Sequence, residues 1–136
     1  MTETFEVWVQ EADLSVSTEV EVGRASEALS CYDAQNWPEK LDKKAAIEQA
    51  DKFACPPGFG VVRSDGAILH GCPQKDGSLE VHWHSEIRIR FWKVFSKSLP
   101  SFYITNVRVD DFYAAVKSFF DFKDTRVAQH LKVELP

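Results

Sequence analysis

Apolar residues along the chain fall first into a period of two. Phe5, Val7 and Val9 alternate with Glu6, Trp8 and Gln10, and Leu14, Val16, Val20 and Val22 keep one parity against Ser15, Ser17, Glu19 and Glu21. This alternation predicts two half-buried strands, and the short Glu11-Ala12-Asp13 connector predicts an antiparallel hairpin that ends at Gly23. The period then becomes helical. Ala25, Ala28, Leu29 and Tyr32 predict a helix with Ser26 as N-cap, closed before Trp37-Pro38 because a residue preceding proline is biased out of helical geometry. Leu41, Ala45, Ala46, Ala50 and Phe53 predict the inward stripe of a second helix, opened by Pro38 and stopped by Cys55-Pro56-Pro57-Gly58.

Alternation returns beyond that break. Phe59 to Ser64 and Ala67 to His70 flank Asp65-Gly66, which predicts a hairpin with a two-residue turn and positive φ at both turn residues. A second Asp-Gly, Asp76-Gly77, introduces an alternating run from Leu79 to Phe95 that is too long for one strand, so a bend is expected near Ser85. Phe102 to Val107 reads as a short strand. Asp110 is the expected cap of a helix with Phe112, Ala115, Val116, Phe119 and Phe120 on one face, and residues 125–136 fit either a short helix or a terminal strand. The expected architecture is one α+β domain over residues 1–136, a mainly antiparallel sheet built from hairpins with about three helices packed on one face.

Composition adds limits. At 136 residues and 44% hydrophobic content, one core can support the fold without disulfides or a structural metal. Cys31, Cys55 and Cys72 are odd in number and form no C-x-x-C pair, so they are expected as buried free thiols in a reducing cytoplasm. The acidic, alternating start Met1-Thr2-Glu3-Thr4-Phe5-Glu6 lacks the features of a secretory signal, and no apolar stretch approaches the ~18 residues of a membrane span. A net charge of −5 without a Lys/Arg block argues against direct nucleic-acid binding or membrane association.

The distribution of that charge is more telling. Up to Asp33 there are eight acids and one base, Arg24, a balance of −7, while the remainder of the chain carries +2. A concentrated acidic surface accelerates association with a basic partner. Glu6, Glu11, Asp13, Glu19 and Glu21 are therefore candidate partner-binding residues, with Trp8, which falls on the polar parity of its strand, as an aromatic anchor.

Two further constellations could carry chemistry. His70, Cys72, His82 and His84 have the ligand types that zinc prefers, and zinc is the only cofactor the sequence suggests. A two-residue loop at Asp76-Gly77 would set Cys72 opposite Val81 and divide these four residues between the faces; an odd loop would set Cys72 opposite His82 and His70 opposite His84. Glu80, His82, His84, Glu86, Arg88 and Arg90 also share one parity. His82, His84, Arg88 and Arg90 are thus candidates for a flat partner-binding surface or for a small-molecule enzyme site. No nucleophile elbow, phosphate-binding loop, HExxH or dinucleotide motif is present, so catalysis is not the favoured expectation.

A small acidic α+β chain with a charged sheet face, a surplus of aromatics between Phe91 and Phe122 and no catalytic motif resembles the immunity proteins that neutralise bacterial polymorphic toxins. Phage-encoded inhibitors of bacterial defence share that profile. The resemblance spans the whole chain as a profile and transfers no individual residue. It implies a stoichiometric protein partner, often a nuclease whose basic active site is plugged; the aromatic surplus would also suit a homodimer.

Overall fold

The computed structural model describes residues 4–84, 88–91, 95–98 and 101–135. A six-stranded antiparallel sheet runs β2-β1-β3-β4-β5-β8, built from β1 (Phe5–Gln10), β2 (Val16–Val22), β3 (Gly58–Val62), β4 (Ile68–Pro73), β5 (Leu79–His84) and β8 (Phe102–Val107). Between β5 and β8 lies a separate two-stranded ladder of β6 (Arg88–Phe91) and β7 (Phe95–Ser98). The helices are α1 (Ala25–Asp33), α2 (Trp37–Gln49), α3 (Val109–Phe120) and α4 (Asp124–Leu131). The chain is thus α+β with its sheet built from hairpins, and the ambiguous tail supplies a fourth helix.

Parity separates the two faces of the sheet. Phe5, Val7, Val9, Phe59, Val61, Leu69, Leu79, Val81 and Trp83 are buried in one core with α1, α3 and α4. The expected stripe of α3 is borne out: Phe112, Ala115, Val116, Phe119 and Phe120 all enter that core. Tyr32 of α1 meets Phe59 edge-to-face and Phe112 at a tilt, at ring-centroid distances of 5.5 and 5.7 Å, joining α1, the sheet and α3.

Several local expectations are corrected. The Asp65-Gly66 turn is a three-residue loop and not the two-residue one expected, Asp76-Gly77 takes the odd-loop alternative, and in both only the glycine has positive φ (93° at Gly66, 87° at Gly77). In each, the aspartate side chain accepts from the backbone N–H two residues on, from Ala67 and Ser78 respectively, which braces a loop whose geometry needs a single left-handed residue. Ser26 and Asp110 are not N-caps. Arg24 and Arg108 hold those positions in extended conformation, and Asp110 lies in the first turn, where a carboxylate suits the helix dipole. The bend expected near Ser85 lies outside the described residues, although β5 ends at His84 and β6 begins at Arg88.

Helix α2 departs furthest from expectation. Asn36 caps it by accepting from Glu39 N–H at 3.2 Å, and Asn36 Nδ2 donates back to the Glu39 carboxylate at 3.1 Å. Ala50 ends it before the Pro-Pro-Gly run is reached. Its expected apolar stripe is not buried: Trp37 alone enters the core, and Phe53 just beyond the helix is 77% exposed. Instead α2 is held by charge. Lys40 pairs with Glu11 and Lys43 with Asp13, the latter at 3.1 Å, clamping the helix to the β1–β2 turn. Partial burial of the Glu11 carboxyl works against its ionisation, but hydrogen bonds from Lys40 and Ser17 prevail and hold it below its ordinary value. Hydrogen bonds from Ser15, with the Lys43 ammonium adding to them, bring Asp13 down to about 2.

At the other end of the core, Arg63 is buried at 3% exposure with every guanidinium nitrogen bonded. Its Nη1 and Nη2 donate to the two oxygens of Asp124 at 2.7 and 3.0 Å, Nε and Nη2 reach Asp65, and Nη1 also reaches the Phe119 carbonyl. The Phe119 and Phe122 rings lie 4.6 and 4.5 Å from the guanidinium carbon. The β3–β4 turn is thereby fixed to the α3–α4 corner.

Two outcomes follow from these contacts. Arg63→Met should cost about 3–5 kcal/mol in urea denaturation, because it leaves a carboxylate buried without its counter-charge, and Arg63→Lys should recover only part of that loss since an ammonium cannot replace the planar fork. Lys40→Met should raise the Glu11 pKa, read by carboxyl NMR titration. Since the Glu11 pKa is lowered on folding, its contribution is present above the unfolded value of 4.5 and is lost as pH falls through the folded value. The stability gap between wild type and Lys40→Met should therefore narrow between about pH 6 and about pH 3.

Candidate functional site

The helix-free face of the sheet collects most of the candidates. Pairing sets Glu6 opposite Glu21 and Trp8 opposite Glu19 across β1 and β2, and Trp8 opposite Gly60 and Gln10 opposite Gly58 across β1 and β3. His70 and Cys72 of β4 lie opposite His82 and Glu80 of β5, and His82 in turn lies opposite Tyr103 of β8. The face therefore runs from an acidic edge through an aromatic and imidazole centre to a Glu80–Tyr103 pair, in which the tyrosine hydroxyl donates to the carboxylate.

Two glycines create the centre. A Cβ on Gly60 would stand 2.0 Å from Trp8 Cζ2, and one on Gly58 would stand 2.5 Å from His70 Nε2 and 3.0 Å from Cys72 Sγ. Because β3 has no side chains at these two outward positions, the Trp8 and His70 rings can lie on its backbone, stacked with centroids 5.6 Å apart and planes inclined by 16°. The sequence signal for this is the two-residue glycine spacing, which puts both glycines on one face of a strand.

The odd loop at Asp76-Gly77 puts the four metal candidates on one face, but its register is displaced by two residues from the one expected. His70 faces His82, Cys72 faces Glu80, and His84 faces Ile68. His84 and Cys72 are consequently four residues apart along the ladder, roughly 13 Å at the strand repeat. Among the described residues, no group of three or more His, Cys, Asp or Glu is disposed to hold a metal ion. Cys72 Sγ does meet the His70 ring, at 3.8 Å from Nε2.

Electrostatics set the chemistry of this centre. Burial, and then the Glu80 charge, push the Cys72 thiol up to about 11, so it is neutral near pH 7 and a weak nucleophile. Burial and the neighbouring His82 lower His70 below its ordinary value, favouring the neutral ring against Trp8. All three cysteines are free but half-buried, not fully buried as expected. His84 Nδ1 lies 2.6 Å from Ser101 Oγ. Arg88 and Arg90 stand in β6, and their side chains, like the whole of Trp92, lie outside what is described.

The acidic candidates divide. Glu6, Glu19 and Glu21 are exposed on the helix-free face around Trp8, which is half-buried. Glu11 and Asp13 are removed to the α2 clamp, where they line a hollow of about 730 Å³ with the lysines that neutralise them. A cleft of about 370 Å³ between Tyr32, Trp37, Leu41 and the β4–β5 turn belongs to the helix side, whereas the enzyme reading placed its pocket at the histidines. No family model, curated protein or solved structure matches this chain.

Gly60→Ala should displace the Trp8 ring, at a cost of about 1–3 kcal/mol in urea denaturation. With its aromatic cover gone, His70 should titrate closer to 6.5 in both Gly60→Ala and Trp8→Ala, as followed by imidazole NMR.

Proposed function

We propose that this chain is a non-catalytic protein inhibitor of the immunity type, acting in the cytoplasm and binding a basic partner toxin or effector through the acidic end of its helix-free sheet face. One observation carries the reading: Glu6 and Glu21 are directly opposed across β1 and β2, with Glu19 beside Trp8. Like charges opposed across strands weaken a sheet. A basic partner would relieve that repulsion on docking, while the indole would supply apolar contact area. Glu6, Trp8, Glu19 and Glu21 form this docking surface, which His82 and His84 extend toward β8. Glu11 and Asp13 act in it only by orienting the β1–β2 turn. The high thiol pKa of Cys72 favours binding over nucleophilic chemistry.

The product of the adjacent open reading frame is the partner to test. Its expression should arrest growth of a host, and co-expression of this chain should relieve the arrest and yield a stoichiometric complex. Glu6→Lys/Glu19→Lys/Glu21→Lys should slow association by roughly tenfold or more at low salt and flatten its ionic-strength dependence. Neither relief nor a complex, or an association rate unmoved by the triple reversal, would overturn the reading.

A further inference from the structure

Strand β2 forms one edge of the six-stranded sheet, and the other edge, β8, is managed differently. Asn106 in β8 takes φ 59° and the β5–β8 register shifts between Leu79 and Val81, the kind of irregularity that discourages another strand from adding. Strand β2 also has a register shift, at Ser17 opposite Val9 and Gln10, but it pairs without a break from Thr18 to Val22 and none of its residues takes positive φ. Its seven residues extend roughly 23 Å, with the backbone groups of its outer side directed away from β1. Both faces are open along most of it: Val20, opposite Val7, points to the helix side yet is 39% exposed, Val16, opposite Gln10 beyond the register shift, lies on the helix-free face at 42% exposed, and only Val22 is buried on the helix side. Glu19 and Glu21 occupy the opposite face beside Glu6 and Trp8.

We infer that the outer edge of β2 takes up an extended segment of a partner protein as a seventh strand, and that the segment alternates basic with apolar side chains. Main-chain hydrogen bonding would provide the registration. Apolar side chains would cover Val20 on the helix side, and Lys or Arg side chains on the other face would meet Glu19 and Glu21. Charge complementarity selects this occupant over a second copy of the chain. Two β2 strands related by a two-fold axis would bring the Glu19 and Glu21 carboxylates of the copies together, on a face that already opposes Glu6 to Glu21. The inference rests on the acidic sheet face being the docking face, and it specifies which element of the partner enters first.

A capped seven-residue peptide alternating lysine and valine is a direct probe. Added to the full chain, it should slow amide hydrogen exchange in β2 by roughly tenfold or more at saturation, with chemical-shift changes confined to β2 and its β1 neighbours. The same peptide with proline at its centre should lose that protection, since it keeps the charge but cannot complete the ladder. An alternating glutamate–valine peptide should fail on the wild type and bind Glu19→Lys/Glu21→Lys.

Absence of β2 protection, or equal protection by the proline peptide, would overturn strand addition. Protection that rises with protein concentration in the absence of peptide would assign the edge to a second copy and overturn the proposed occupant. Neutralisation of the adjacent gene product without peptide addition would defeat this inference alone. Peptide addition without any neutralised partner would defeat the inhibitor reading and leave the edge site standing.

Discussion

A guanidinium held out of water must have its charge and all its donors answered, and Arg63 imposes that requirement on three parts of the chain at once. Asp65 comes from the turn after β3, Asp124 from the first turn of α4, and the Phe119 carbonyl from the last turn of α3. Desolvation alone would disfavour the charge, but the two carboxylates prevail and raise the Arg63 pKa. Because the guanidinium is planar and its donors diverge at fixed angles, the three elements can satisfy it in few relative positions. The helical layer is thus anchored at the β3–β4 side of the sheet, and Phe5, stacked on Phe120 with centroids 4.0 Å apart, extends the same packing to β1.

That anchorage has a counterpart at the opposite end. The layer reaches β2 chiefly at Val22, and α2 is clamped by Lys40 and Lys43 to the preceding turn in place of covering the strand with an apolar face. The outer half of β2 therefore stays open on both faces. Its acids accumulate beside Trp8, while the glycines of β3 let Trp8 and His70 lie flat, giving the helix-free face a low aromatic centre next to a negative edge. Under the proposed function, this face would receive a protein, and its uncompensated charge would steer one of opposite sign.

Periodicity made the strands and α3 legible because burial against a core repeats with the geometry of the element. Phe5, Val7 and Val9, or Phe112, Ala115, Val116 and Phe119, record that repeat directly. Capping and turn chemistry were less accessible. Arg24 and Arg108 serve as N-caps through backbone conformation, and the Asp-Gly turns close as three-residue loops with one left-handed glycine, braced by the aspartate side chain. The α2 stripe misled because alanine-rich spacing fits a half-exposed helix as well as a buried one. The decisive contacts of that helix are lysine to carboxylate pairs 29 and 30 residues apart.

Local pattern was sufficient to specify an α+β chain, its principal strands and the concentration of acid near its start, since each is a property of neighbouring residues. Pairing across the sheet decided the rest. It withdrew Glu11 and Asp13 into the α2 clamp, left Glu6, Glu19 and Glu21 exposed around Trp8, and set His70 opposite His82 while carrying His84 away from Cys72. The reason is geometric: strand parity assigns a residue to a face, but the position of its neighbours along that face depends on register and strand order, which are settled by contacts between residues distant in the chain.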